Sequence, residues 1–162
     1  MKAQHFPGIW NMRVDSLSRF ERGGDYEVRK EELNELLDVF NLNITLVAFA
    51  TEENAKCRRW CGPGSRINED GLQQSWSNDV VLAHPPIPLF VPVIMKAFVE
   101  RARVLLLIPD WCGQVWEPLI QLMPHEEWMW KKMNQILVEG KWMKRIEASF
   151  SLRRMRVLLL NP

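Results

Sequence analysis

The sequence predicts an α/β domain built on a parallel sheet with crossover helices, and two observations carry that reading. Three short apolar runs, "ITLVAFA" at 44–50, "DVVLA" at 79–83 and "RVLLLIP" at 103–109, have the length and branched apolar content of buried strands. They alternate with helical and loop patterns in the order strand, helix, loop, strand, helix, strand, helix, which joins parallel neighbours by crossovers.

Residues 1–25 are turn-rich: Pro7-Gly8 and Gly23-Gly24 bracket "IWNMRVDSLSRFER", where 14–20 has room for one or two helical turns. Val28, Leu33, Leu36, Leu37 and Phe40 recur at helical spacing and predict a helix over 28–40, with its charges on a solvated face. After the strand at 44–50, "TEENAKCRRW" reads as a short helix capped by Thr51, with Glu52 and Glu53 suited to its positive end. "CGPGSRINEDG" is loop by composition. The strand at 79–83 runs into a stiff "HPPIP". Next, "VPVIMKAFVERA" predicts a helix with Val91, Ile94, Met95, Phe98 and Val99 on one face and Pro92 tolerated in the first turn. "RVLLLIP" is apolar throughout, as a strand covered on both faces is. "QVWEPLIQLM" predicts another short helix, while "EEWMWKKMNQILVEG" fits helix and strand alike. Three strands are few for a domain. Either the sheet takes strands from the chain ends, such as "RMRVLLLNP" at 154–162, or the chain is a fragment of something longer.

Composition narrows the function classes. With 162 residues, 47% of them hydrophobic and 25% charged, the chain can bury a core and lies far from the disordered regime. A net charge of +1 gives no general attraction to nucleic acid, leaving only local patches. No run reaches the roughly 18–20 apolar residues of a membrane span, and no signal-peptide core follows Lys2, His5 and Pro7. No membrane partner is expected. Cys57, Cys61 and Cys112 are an odd count, which favours a reduced intracellular setting without separating nucleus from cytoplasm. Cys57 and Cys61 have tolerable spacing for two metal ligands, with His84, Cys112 and His125 as further donors. No compact second pair exists, however, so no metal site is expected.

Two blocks of sequence carry a family resemblance. "HFPGIWNMRVDSLSRF", from His5 to Phe20, is similar to the closing motif of retroelement ribonuclease H domains, with Asp15 in the place of the last catalytic carboxylate. From Leu46 onward, "FATEENAKCRRW", "EDGLQQSW", "VVLAHPPI" and "RVLLLIPDW" resemble, in the same order, Dam-like adenine methyltransferases of phages and the related region that follows ribonuclease H in some retroelement Pol polyproteins. The resemblance implies a small Rossmann-like sheet. It divides the chain into a ribonuclease H remnant at 1–26, a methyltransferase-like α/β domain at 27–125 and a basic, Trp-containing segment at 126–162.

The departures from that family decide the expected activity. Its amino-methylating members carry Asp or Asn, then Pro-Pro, then an aromatic residue at the strand exit. The polar side chain and a proline carbonyl accept hydrogen bonds from the target amine, and the aromatic ring stacks on the flipped base. This chain keeps Pro85 and Pro86 but has His84 at the polar position and Ile87 at the aromatic one. A neutral imidazole accepts one hydrogen bond. Ile87 offers no π-face, and a lost base stack costs about 1–3 kcal/mol. The family's acidic residue before "FA" is replaced by Val47 and Ala48, and no glycine lies between Gly24 and Gly62 for a close approach to S-adenosylmethionine. Glu52, Glu53 or Asp70 are the remaining candidates for that role. Asp15 alone cannot hold the two metal ions of ribonuclease H chemistry, which gathers several carboxylates.

The remaining signal is charge. Lys131, Lys132, Lys141, Lys144, Arg145, Arg153 and Arg154 lie among Trp128, Trp130 and Trp142, and basic residues interleaved with aromatics suit DNA or RNA. The expectation is a non-catalytic piece of a Pol polyprotein with at most weak nucleic-acid affinity, whose parent would supply reverse transcriptase and ribonuclease H as neighbours, and which needs no cofactor. The alternative is an active adenine-specific DNA methyltransferase using S-adenosylmethionine, with Pro85 giving its carbonyl and Trp111 the stack.

Overall fold

A computed structural model describes residues 26–139 and 153–162. The described elements are β1 (Tyr26–Val28), α1 (Lys30–Phe40), β2 (Leu46–Val47), β3 (Val80–Ala83), a 3₁₀ turn (Ile87–Leu89), α2 (Phe90–Glu100), β4 (Arg103–Pro109), α3 (Glu117–Gln121), β5 (His125–Lys132), α4 (Met133–Ile136), β6 (Leu137–Glu139) and β7 (Arg154–Leu160). Five strands form one sheet in the order β2-β3-β4-β7-β5, and β1 pairs with β6 in a second, two-stranded sheet.

The main sheet is mixed, which corrects the all-parallel expectation. β2, β3 and β4 are parallel, with Leu46 opposite Val81 and Leu82 opposite Leu105, whereas β7 is antiparallel to both β4 and β5. The cause is the apolar run in β7, buried from Met155 to Leu160. Such a strand needs cover on both faces and a neighbour on each side, and it finds both between β4 and β5. The sheet does take strands from the chain's C-terminal part. The ambiguous stretch after residue 125 contains both kinds of structure, as an eight-residue strand, one helical turn and a three-residue strand.

Alternation along each strand divides the core into two layers. Leu46, Val81, Ala83, Val104, Leu106 and Ile108 face α2 and α3, meeting Phe90, Val93, Ile94, Ala97, Trp116 and Ile120. Val47, Leu82, Leu105, Leu107 and Val157 face the other way, onto Leu33 and Leu36 of α1 and Met133 and Ile136 of α4. The helix expected over 28–40 begins at Lys30, because Val28 belongs to β1, where it is still buried. Asn41 ends it in the left-handed region (φ 50°), its N–H reaching the carbonyls of Leu37 and Asp38.

Two other expectations are corrected. α2 buries Phe90, Val93, Ile94 and Ala97, while Met95, Phe98 and Val99 of the expected inward face are exposed. Apolar residues surround this helix, so periodicity could not choose its face. The 3₁₀ turn feeding directly into Phe90 makes the choice. No helix forms over 51–60. Asn54 and Ala55 donate to the Thr51 carbonyl at 3.2 and 3.0 Å, making a single turn. The chain then swings back along the free edge of β2, where Val47 N–H donates to Arg59 O (3.0 Å) and Cys61 N–H to Val47 O (2.9 Å). Satisfying those edge groups outweighs continuing a helix. Among the described residues, no helix is long and apolar enough to cross a membrane.

Candidate functional site at the exit of β3

β3 lies between β2 and β4, and its carboxyl end delivers His84, Pro85, Pro86 and Ile87 together. Pro85 and Pro86 are buried, and Pro86 accepts a hydrogen bond from Leu89 N–H at 2.9 Å, which starts the 3₁₀ turn. The fixed φ of two prolines makes this exit stiff. Ile87 packs half-buried against the α2 side of the core.

His84 lines a pocket of about 40 Å³ with Glu27, Val28, Val47, Phe49, Asn54, Lys56 and Leu82. That is room for about two or three water molecules. Desolvation pulls the imidazole from its ordinary pKa of 6.5 down to about 4, so it is neutral at pH 7. Lys56 and Glu27 form an ion pair at 3.4 Å on the pocket wall. Glu27 comes from β1, so that short strand forms one wall of the pocket from outside the main sheet.

The space beyond β2 is taken by the chain's own backbone. A Cβ placed on Gly71 would fall 1.9 Å from the carbonyl oxygen of Ala48, and one on Gly62 would fall 1.8 Å from that of Ala50. No side chain fits there. The loop that brings these glycines in is tied to α2 through Trp76, whose indole N–H donates to Gly71 O at 3.0 Å and whose backbone N–H donates to Glu100 Oε2 at 2.6 Å. Lys96, paired with Glu100, sits 5.1 Å from the Trp76 ring centre. These glycines were absent from the sequence-based site. Their signal was their presence in a loop otherwise read only as loop, since which backbone they approach is a tertiary fact.

Beyond β4, Trp111 packs half-buried on the same apolar layer, and Trp116 is buried with its ring edge-on to Phe90 at 4.9 Å. Burial pushes the Cys57 and Cys61 thiols up, and Cys57 donates to Arg59 O at 2.9 Å. Among the described residues no group of three or more His, Cys, Asp or Glu is placed to hold a metal ion.

Part of the basic stretch is engaged within the chain. Lys131 contacts Glu32 at 2.7 Å and Glu35 at 3.4 Å on α1, and Arg154 Nε donates to Trp130 O at 2.8 Å. Arg156 is buried between Glu117 and Glu127. Lys132 and Arg153 are exposed, Trp130 is buried, and Trp128 is exposed. Asp15, Lys141, Trp142, Lys144 and Arg145 lie outside the described residues.

Chemically, the β3 exit offers a neutral imidazole beside a small, mainly apolar pocket with an ion pair on its wall, a stiff proline frame and no aromatic face at Ile87. Comparison with family models, curated proteins and solved structures gives no match to this chain.

Proposed function

We propose that this chain is a non-catalytic module of a retroelement Pol polyprotein, a degenerate relative of Dam-like adenine methyltransferases with at most weak affinity for nucleic acid. The motif lies at the carboxyl end of parallel strands, where α/β sheets hold ligands. One observation supports the non-catalytic reading. Among the described residues the ground beyond β2 and β3 is occupied, by Gly62 and Gly71 against the Ala50 and Ala48 carbonyls and by β1 with its Glu27–Lys56 pair, with a half-open pocket of about 40 Å³ beside His84. A methyl donor and a flipped adenine need a cleft of several hundred Å³. Upstream reverse transcriptase and ribonuclease H segments are the neighbours this origin implies.

The enzyme reading has one observation in its favour. His84 is neutral at pH 7, so one of its ring nitrogens is an acceptor rather than a donor. The test is transfer of labelled methyl from S-adenosylmethionine to duplex and single-stranded DNA containing adenine. The proposal expects no label in DNA above a protein-free control. Incorporation that is abolished in His84→Ala would overturn it in favour of the enzyme.

A further inference from the structure

α2 and α3 run side by side down one face of the main sheet. Phe90, at the start of α2, meets Trp116, just before α3, edge-on at 4.9 Å. At the other end α3 leads to His125, opposite Leu160, which is itself opposite Val104 near the start of β4, where α2 also ends. Lys96 and Glu100 turn one flank of α2 to Trp76, on the β2 side of the sheet. At about 100° per residue the opposite flank, toward α3, carries Val91, Met95 and Phe98. Val91 and Leu119 are half-buried against the core, while Phe98 is 54% and Leu122 79% exposed. The result is an apolar groove with Val91 and Leu119 in its floor and Met95, Phe98 and Leu122 on its walls.

The charge at this groove has one sign. From Ile87 to Pro124 the chain has three acids, Glu100, Asp110 and Glu117, and none of them is exposed. Glu100 is held by Lys96 and Glu117 by Arg156, while Asp110 lies past the opposite end of β4. Arg101 and Arg103 follow directly on α2, both are exposed, and neither has an ion pair with a described residue. We infer that the groove between α2 and α3 receives an amphipathic helix of a partner protein, apolar toward Phe98 and Leu122 and acidic where it meets Arg101 and Arg103. A helix with apolar residues at i, i+3, i+4 and i+7 seats that stripe in such a groove. α2 is 11 residues long, so about 16 Å of the partner is covered, or three turns. A second copy offering the same groove brings no exposed acid to the arginines. An anionic lipid surface gains only about 1 kcal/mol from each arginine, and it cannot reach the recessed Val91 and Leu119.

Fluorescence anisotropy of a labelled synthetic helix, with leucines on one face and glutamates on the other, titrated with the full chain, tests this. Saturable binding with a Kd of about 50 µM is expected for so small an interface. Phe98→Glu and Leu122→Glu each weaken it by about tenfold, whereas Val39→Glu, at an exposed position of α1, leaves it unchanged. The same peptide with lysines in place of glutamates binds about tenfold more weakly. Arg101→Glu combined with Arg103→Glu reverses that preference, which a loss of folding cannot do. All these positions are exposed, and thermal melts of the variants matching the parent verify their folding. No binding of the acidic peptide at about millimolar concentration overturns the inference. So does equal binding of the two peptides, or indifference to Phe98→Glu. A chain that binds phosphatidylserine vesicles or dimerises through Phe98 while leaving the acidic peptide free overturns it as well.

Discussion

Gly71 passes so close to Ala48 that a Cβ on the glycine would lie 1.9 Å from the Ala48 carbonyl oxygen. Backbone on backbone cannot give way cheaply, so Gly71→Ala displaces the loop or the end of β2. The expected cost is about 2–4 kcal/mol by urea denaturation. Gly62→Ala belongs with it, because its φ of 150° adds strain to a clash of 1.8 Å with Ala50. Gly64, at φ 82° with nothing within 4 Å, is the control. There alanine costs about 1 kcal/mol, for conformation alone. Equal losses at positions 64 and 71 would mean that the close approach is unimportant.

His84 makes stability depend on pH. Its folded pKa of about 4 lies below the ordinary 6.5, so the unfolded chain takes up a proton that the folded chain refuses. The contribution is fully present above pH 6.5, falls as pH drops through the interval and levels off below about 4. Roughly 2 kcal/mol disappears between pH 7 and pH 5. Urea titrations across that range, on the parent and on His84→Asn, measure the difference. The variant loses about 2 kcal/mol less than the parent over the interval. Parallel profiles would show that the imidazole is not desolvated.

Arg156 on β7 is buried between Glu117 and Glu127, whose side chains are 26% and 36% exposed. Arg156→Met leaves two carboxylates facing each other without a cation. The expected loss is about 2–3 kcal/mol, at the low end for a broken buried pair because both carboxylates reach water. Glu127→Gln keeps Glu117 on the guanidinium and costs about 1 kcal/mol. Thermal denaturation of the two variants ranks them, and a larger loss for Glu127→Gln contradicts the arrangement.

Trp76 and Trp116 are both buried, yet of the two only Trp76 has a partner for its indole N–H among the described residues. Replacing either with Phe removes similar volume. Trp76→Phe also loses a hydrogen bond to Gly71 O, while Trp116→Phe removes a donor that has no acceptor among the described residues. Trp76→Phe is therefore the more damaging, by about 1 kcal/mol in equilibrium unfolding. The reverse order would place an acceptor beside Trp116.

How far the sequence foretells this fold depends on how local each cause is. "RVLLLIP" is legible as β4 because the six apolar residues Val104–Pro109 are short, rich in branched side chains and closed by a proline, and "VVLAHPP" is legible as a strand ending in a stiff exit. α2 is legible as a helix but not as an oriented one, because Phe98 and Val99 are as apolar as Phe90 and Val93. The place of β7 depends on pairing with β4 across some fifty residues of chain, which no local pattern records. At the site, the four motif residues can be read from "HPPI". What fills the ground beside them cannot, because the approach of Gly71 to Ala48 joins a loop to a strand end through the packing of Trp76.

The account rests on the claim that the β3 exit keeps its proline frame while the room for a methyl donor has been closed. Calorimetric titration of the full chain with S-adenosylmethionine up to millimolar concentration addresses this most directly. The account predicts only heats of dilution. A saturating heat of one donor per chain, lost in His84→Ala or Pro85→Ala, would contradict it.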